Sequence, residues 1–525
     1  MERRTIFPVH TTIFVALTLV TYCHGANILC LMGVPSHSHH IWNRALMEAL
    51  AKQGHNLTIV SPDMETTQKP NITYIYLEKV YQAVHEGDSA VDFYEMAQQN
   101  MFLSTVTFYD YGMGMCEGIM KSKGLDIILN YPNDFKFDLV LYDFSCGPCL
   151  MGLYHKFGEP PLVGVTAFNI PPYTTDVIGG HKYPSYIPYY SLSYDSEMNF
   201  WQRLENTFIY VFDHLYRNYR FLPKTDELVR KHPAFRNVPY LPESDKKMML
   251  LLANSHHAVD FPEPVPQNMI LVGGLQLIPP KPLPQDLEKF ITAAPKGAIL
   301  FSLGTNVLSS DLGDERIAMF LEAMAHFPEY NFLWKFETEM RKFKLPKNLL
   351  LRKFLPQNDI LAHPNIKLFM THAGLLSTHE ATWHGVPIIG IPFIADQYRN
   401  LEKSMRAKVA ERLNVFSLTT NDIVQTIRKV LEDPGYRNRM QEKSALFRDQ
   451  PERPLDRAIW WIEWALRHPN AKSIQSPTMK LGFWRSQSYD VVLFIVVVIL
   501  AIRYLLKKLF TSDVKSSKKA KAKMN

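Results

Sequence analysis

The residues best suited to chemistry fall in two places. One is the stretch 371–400, THAGLLSTHEATWHGVPIIGIPFIADQYRN. Its spacing predicts a strand over 366–370, a turn at His372, Ala373 and Gly374, and a helix over 375–384 capped by Gly385. A second strand over 386–391 and a loop bearing Asp396 and Gln397 follow. A small-residue turn that runs into a helix leaves backbone N–H groups pointing outward at the positive end of the dipole, which suits a phosphate. Glu380, one or two turns along that helix, is within reach of the rest of a phosphate-bearing ligand. Asp396 and Gln397 follow a strand end, where an open α/β sheet binds ligand. On these residues alone, a plain turn and a solvated glutamate remain an equal alternative.

The other place offers a histidine and a carboxylate. An apolar strand over 28–34 runs into the polar turn PSHSHH and a helix over about 41–53, ended by Gly54-His55, with the next strand over 57–60. This is the opening of a doubly wound sheet without the glycines of a dinucleotide fingerprint, so the turn serves side-chain chemistry. His37, His39 and His40 share that turn with no carboxylate or cysteine at ligand spacing, and no metal is expected. A second buried-strand pattern over 137–143 ends in Asp143, placed to orient a histidine of a neighbouring loop or to cap the next helix. Asp138 lies at the start of that strand, on the wrong side.

Composition sets the frame. A chain of 525 residues and 60.7 kDa is too long for one core and implies two large domains with appendages. Hydrophobic residues at 46% with 21% charged residues exclude a disordered chain. The net charge of +6 is carried by 507–525, with seven lysines and one aspartate, so the body is balanced and nucleic acid is not expected as a partner.

The segment 354–397, beginning FLPQNDILAHPNIKLFMTHAG, resembles the long donor-site signature of the UDP-glycosyltransferases, specifically the membrane-bound animal branch and its insect members. The resemblance implies a GT-B fold: two Rossmann-like domains facing across a cleft, plus one C-terminal transmembrane helix. It assigns Gln357 to the uracil edge, Phe354 to stacking near the base, and His372 with the backbone of Ala373 and Gly374 to the diphosphate. Thr305 and Ser377 complete the polar donor set, Glu380 takes the ribose hydroxyls, and Asp396 with Gln397 takes the sugar hydroxyls. It selects His39 as the base, the histidine of a Ser-His pair sixteen residues before His55, and Asp143 as its partner. Two positions depart from the family: Phe354 replaces the usual Trp, and Ala373 stands where a second Gly is common. A methyl group fits a turn with φ below zero, so the site is expected to persist. The implied donor is a UDP-sugar, with glucose expected, the acceptor a small lipophilic molecule, and no metal takes part.

Other features bear on the reading. Cys146-Gly-Pro-Cys149 has the form of a thiol-oxidoreductase motif, although no compact thioredoxin pattern surrounds it, and buried thiols or pairing with another cysteine are the alternatives. Between 71 and about 264 the pattern is irregular, and the tyrosines of YIPYYSLSYD are placed to wall an apolar acceptor pocket, with core packing the alternative for each of them. Asn71-Ile-Thr73 is a sequon in a loop, and Asn56-Leu-Thr58 one that begins a strand and is expected to be buried. The helix DRAIWWIEWALRH resembles the family's terminal helix, its tryptophans serving packing. The expected division is a signal peptide over 1–25, an acceptor domain over 26–272, a stiff linker over 273–288 and a donor domain over 289–450. A membrane-proximal segment over 451–488, a transmembrane helix over 489–506 and a basic tail over 507–525 complete it. Positive charge at the tail places it in the cytosol and the body in the lumen; the terminal lysines of the tail resemble a retrieval signal of the endoplasmic reticulum, and attraction to anionic lipid headgroups is their alternative use. Homo-oligomerisation is left open. A catalytically silent membrane-anchored binder of lipophiles is the competing reading.

Overall fold

The computed structural model describes residues 25–86 and 91–523. All but Gly25 of the expected signal peptide lies outside the described residues, as do the last two residues of the tail.

Seven short apolar runs form the first sheet, β1–β7 (Asn27–Leu31, Asn56–Ser61, Ile72–Tyr76, Leu139–Asp143, Leu162–Thr166, Leu250–Ala253, Met269–Leu271), and every pairing is parallel in the order β3-β2-β1-β4-β5-β6-β7. Six more, β8–β13 (Ala298–Ser302, Asn331–Lys335, Leu349–Arg352, Ile366–Thr371, Ile388–Gly390, Ala410–Arg412), form a second parallel sheet in the order β10-β9-β8-β11-β12-β13. Strands such as LVLYD and AILFS are buried throughout, because a parallel sheet is covered on both faces and cannot use a polar side. In each sheet the strand order reverses once, between β1 and β4 and between β8 and β11. The C-terminal ends flanking those two reversals are where ligands bind in such sheets.

Ten helices frame the cleft and the membrane-proximal end of the molecule: α1 (His37–Lys52), α2 (Met101–Lys121), α3 (Thr174–Ile178), α4 (Phe200–Tyr216), α5 (Gln357–Leu361), α6 (Leu375–His384), α7 (Gln397–Arg406), α8 (Pro454–Arg467), α9 (Thr478–Ser486) and α10 (Tyr489–Lys523). The region read as irregular contains two long ones, α2 and α4. In α2 the helical signal is diluted by glycines required for close packing: a Cβ at Gly118 would lie 2.5 Å from Val80 Cα, and one at Gly112 2.9 Å from the Cys146 carbonyl oxygen. The terminal helix α8 returns to the first sheet, where Ala458, Ile462 and Ala465 join the core built on Trp42, Leu46 and Leu50 of α1. Burial of a side chain such as Ile462 contributes about 1.5–3 kcal/mol. Trp461 and Trp464 are half-buried against this core and Trp460 is exposed, so packing falls to two of the three.

Asn56 is exposed although Thr58 is buried, which corrects the expectation that the whole sequon is internal; Asn71 and Thr73 are both exposed. The apolar span of α10 is Tyr489–Phe510, 22 residues, longer than the 489–506 read from the sequence. At 1.5 Å per residue it is about 33 Å long and matches a hydrocarbon core. Beyond it the helix continues through the lysine-rich tail to Lys523.

Candidate functional site

β1 delivers the chain directly into α1, whose first turn is His37 to His40. The polar turn expected ahead of the helix is therefore the first turn of the helix itself. Each histidine there meets its own carboxylate: His37 Nδ1 lies 2.5 Å from Asp63, His39 Nδ1 2.8 Å from Asp143 Oδ2, and His40 Nε2 3.0 Å from Glu65. Their rings diverge, and among the described residues no His, Cys, Asp and Glu cluster able to hold a metal is present. Burial separates the three pairs, because both side chains of His39 and Asp143 are removed from water whereas His37 is 58% exposed.

Asp143 ends β4, the neighbour of β1 at the strand reversal, so the switch point itself joins the pair. Its Oδ2 also accepts from Asn43 Nδ2 at 3.2 Å, and its Oδ1 from the Ser145 hydroxyl at 2.6 Å and backbone N–H at 3.2 Å. Burial disfavours the charge, but His39 and Ser145 outweigh it and hold the Asp143 carboxyl below the usual range. Asp138 accepts from the Asn27 N–H at the N-terminal end of β1 and β4, opposite the end that carries Asp143, which removes it from the site. Asn43 and Ser145 were not singled out from the sequence. A residue one helical turn beyond His39 and one two positions beyond Asp143 are the spacings that would have indicated them.

Across the cleft, His372 follows β11 at the second strand reversal. Its ring lies in a backbone slot: a Cβ at Gly304 would fall 2.5 Å from His372 Cε1, and one at Gly374 2.4 Å from Nε2. Burial, helped by Lys335, pushes the His372 pKa down to about 4, so the ring is neutral and can meet a phosphate only as an N–H donor. Ala373 has φ of 63°, contrary to the expectation of a negative value. The turn requires left-handed backbone, which in a non-glycine residue costs about 1–2 kcal/mol. The left-handed residue turns the chain into Gly374, the N-cap of α6.

α5 and α6 carry a linked polar set. Gln357 Nε2 donates to Glu380 Oε2 at 2.7 Å and to Ser377 Oγ at 3.0 Å, and burial raises the Glu380 pKa to about 7. Phe354 is 76% exposed at the rim, with its face available for stacking. Asp396 and Gln397, expected in a loop, are the N-cap and first residue of α7. Asn400 donates to Asp396 at 2.6 Å, and burial raises the Asp396 pKa despite this bond. Gln397 uses its side-chain carbonyl to accept from the N–H groups of Phe393 and Ile394 at 2.8 and 3.1 Å, leaving its amide N–H groups to serve a ligand.

One cavity of about 300 Å³ gathers His39, Thr305, Phe354, Gln357, His372, Gly374, Ser377, Glu380, Asp396 and Gln397. Asp143 stands behind His39, and Ala373 shapes the turn without lining the cavity. Two further residues come from strand-end positions that the sequence pattern did not single out. Lys335 ends β9 and donates to the Gly304 carbonyl and to Glu337, each at 2.9 Å. Asn306 donates to Ser36 Oγ at 3.1 Å and ties the two strand-end loops together across the cleft. Of the expected tyrosine wall, Tyr190 lines a small annex with Phe108, Phe168 and Tyr173, while Tyr189 is core.

The CGPC motif does not form a dithiol pair. Cys149 is bonded to Cys116 of α2, and Cys146 is a buried thiol whose pKa is pushed well up by burial. A thiol-oxidoreductase centre is thereby excluded for this pair.

Residues 29–524 match the family described as UDP-glucoronosyl and UDP-glucosyl transferase. The chain is 33% identical to UDP-glucosyltransferase 2 of Dactylopius coccus, with 97% of this chain and 98% of the relative covered. It is 29% identical to human UDP-glucuronosyltransferase 2B15, covering 95% and 96%. CalG4, the calicheamicin glycosyltransferase, shares the fold at a TM-score of 0.55 and 16% identity, over 85% of this chain and 99% of that one. With a two-sheet fold around one cleft and a family match over nearly its whole length, the chain belongs to the UDP-glycosyltransferases, enzymes that transfer a sugar from a UDP-sugar donor.

Proposed function

We propose that this enzyme transfers a neutral hexose, glucose, from UDP to a hydroxyl of a small lipophilic acceptor with inversion at the anomeric carbon. The observation that carries this is the His39–Asp143 pair facing the donor-side residues across one cavity. With Nδ1–H donating to Asp143, His39 Nε2 is free to accept the acceptor hydroxyl proton as that oxygen attacks. The imidazolium formed is stabilised by the carboxylate behind it. The N–H groups of the 372–374 turn, neutral His372 and Lys335 suit the charge that develops on the departing diphosphate, which needs no metal. Gln357 and Phe354 suit the uracil, Glu380 the ribose hydroxyls, and Asp396 with Gln397 the hexose hydroxyls. Thr305 and Ser377 supply hydroxyls beside them.

A neutral sugar is favoured by charge. Among the described residues lining the cavity Lys335 is the one Lys or Arg, already shared between Gly304 and Glu337, whereas Asp396 brings an acid to the sugar end. The apolar walls, with Phe93, Phe108 and Phe168, suit a lipophilic acceptor. In the cell we place the body in the lumen of the endoplasmic reticulum, the span in its membrane and the lysine tail in the cytosol, because carrying seven lysines across a bilayer is costly. The competing role, a silent binder of lipophiles, gives no reason for a buried histidine–carboxylate pair at the cleft. Membranes containing the protein, incubated with an acceptor panel and UDP-glucose, UDP-galactose or UDP-glucuronate, test the reading by product mass. A glucoside is expected, a glucuronide alone would refute the donor assignment, and no product with any donor would favour the silent binder.

A further inference from the structure

Helix α4 is inside out. Its buried face is Asn206, Ile209, Tyr210 and Asp213, with Asn206 donating to the carbonyls of Pro184 and Ile187 and Asp213 accepting from the Tyr109 hydroxyl at 2.6 Å. Its outward face is apolar: Trp201, Leu204, Phe208, Val211 and Leu215 are all exposed, Trp201 at 73% and Phe208 at 60%. Together with Phe200 and, just past the helix end, Tyr219, they fall within about 100° of arc. A helix on the surface of a soluble domain is patterned the other way, and an apolar face of this extent marks a contact.

The neighbourhood of that face identifies the contact. The Gly180 N–H donates to Thr478 Oγ1 of α9 at 2.8 Å, and His181 meets Gln487, two residues before the span begins. Beside them Lys182 and Asp176 reach His214 of α4 at 3.4 and 3.3 Å. Leu481 and Trp484 of α9 and Tyr489 at the start of α10 are also exposed, so the segment that leads into the span carries apolar side chains of its own, tied to α4 through the polar contacts of 176–182.

We propose that the outer face of α4 lies in the leaflet beside the start of α10, making a second membrane contact at the boundary between lipid headgroups and acyl chains. A helix of 17 residues, about 25 Å long, lies flat at that depth, with an aromatic residue at each end where Trp and Tyr concentrate. The spacing of three and four residues also fits a seam between two copies of the chain, but the contacts that tie α4 to the segment just before the span and the terminal aromatics favour lipid.

The test uses the full chain in phosphatidylcholine nanodiscs with an environment-sensitive fluorophore on Phe208→Cys. Cys30 and Cys146 are buried and Cys116 is bonded to Cys149, so among the described residues the new thiol is the accessible one. A label on Glu339→Cys, a side chain 67% exposed on the second domain, is the reference, and a UDP-induced thermal shift verifies folding of each variant. At position 208 the emission should be blue-shifted, quenched about threefold or more by doxyl-labelled lipid and little affected by iodide, with the reverse at 339. The same pattern is expected for Leu215→Cys, which decides the outcome if the first variant fails to fold. Iodide quenching at 208 and 215 equal to that at 339 overturns the proposal. A blue shift without lipid quenching but with energy transfer between copies also overturns it, in favour of a dimer seam.

Discussion

Gln357 Nε2 lies 2.7 Å from Glu380 Oε2, so the group assigned to the uracil and the group assigned to the ribose are one hydrogen-bonded unit. Glu380 is buried and its pKa is raised to about 7 from 4.5. The folded protein therefore holds this proton more tightly than the unfolded chain. The stability so gained is full below the ordinary carboxylate pKa and is lost as pH rises toward 7. Ribose hydroxyls need a charged acceptor, so UDP affinity should strengthen about 5- to 10-fold between pH 6 and 8. Calorimetry across that range checks it. Glu380→Gln should flatten the profile, and an unchanged profile in that variant would remove Glu380 as its source.

Gly304 and Gly374 leave no room for a side chain beside the His372 ring. Gly374→Ala has an ordinary backbone φ of −60° and should fold, yet its methyl group must displace the ring. The KM for the UDP-sugar should rise about tenfold or more, with a melting temperature near that of the parent. An unchanged KM would show that His372 does not need this slot.

Ala373→Gly should act in the opposite sense. Relief of left-handed strain is worth about 1–2 kcal/mol, offset by about 0.5–1 kcal/mol of extra chain entropy in the unfolded state. The net effect is a small stabilisation, about 1 kcal/mol or less, read in denaturant unfolding. A clear loss of stability would contradict the strain.

This turn shows where the sequence was informative and where it was not. The helix at 375–384 and its Gly385 cap were legible to the residue, because a small-residue turn, an apolar run and a C-terminal glycine all agree there. The sign of φ at Ala373 was not, since composition does not report how a chain leaves a strand. α2 was missed because Gly112 and Gly118 are fixed by contacts with segments distant in sequence, and such contacts are invisible to periodicity. α4 was within reach: Trp201, Leu204, Phe208, Val211 and Leu215 recur at helical spacing, a signal that does not depend on which way the stripe faces. Lys335 was within reach as well: it ends a strand in the donor half, where the rule applied to Asp143 already pointed.

Cysteine substitutions should separate stability from activity. Cys149→Ser removes the bond to Cys116 and should cost about 2–5 kcal/mol of stability, whereas Cys146→Ser should leave turnover within about threefold. Neither protein should reduce insulin. Cysteine-dependent insulin reduction in the parent would contradict the pairing described.

The most direct test of the account is His39→Ala measured in parallel for transfer and for UDP binding. His39 is bonded to Asp143 at 2.8 Å and lies on the acceptor side of the cleft, apart from every residue assigned to the nucleotide. Turnover should fall at least about 10³-fold while the Kd for UDP stays within about threefold, with Asp143→Asn intermediate at about 10²-fold. Transfer by His39→Ala at near the parental rate would contradict the assignment of His39 as the base.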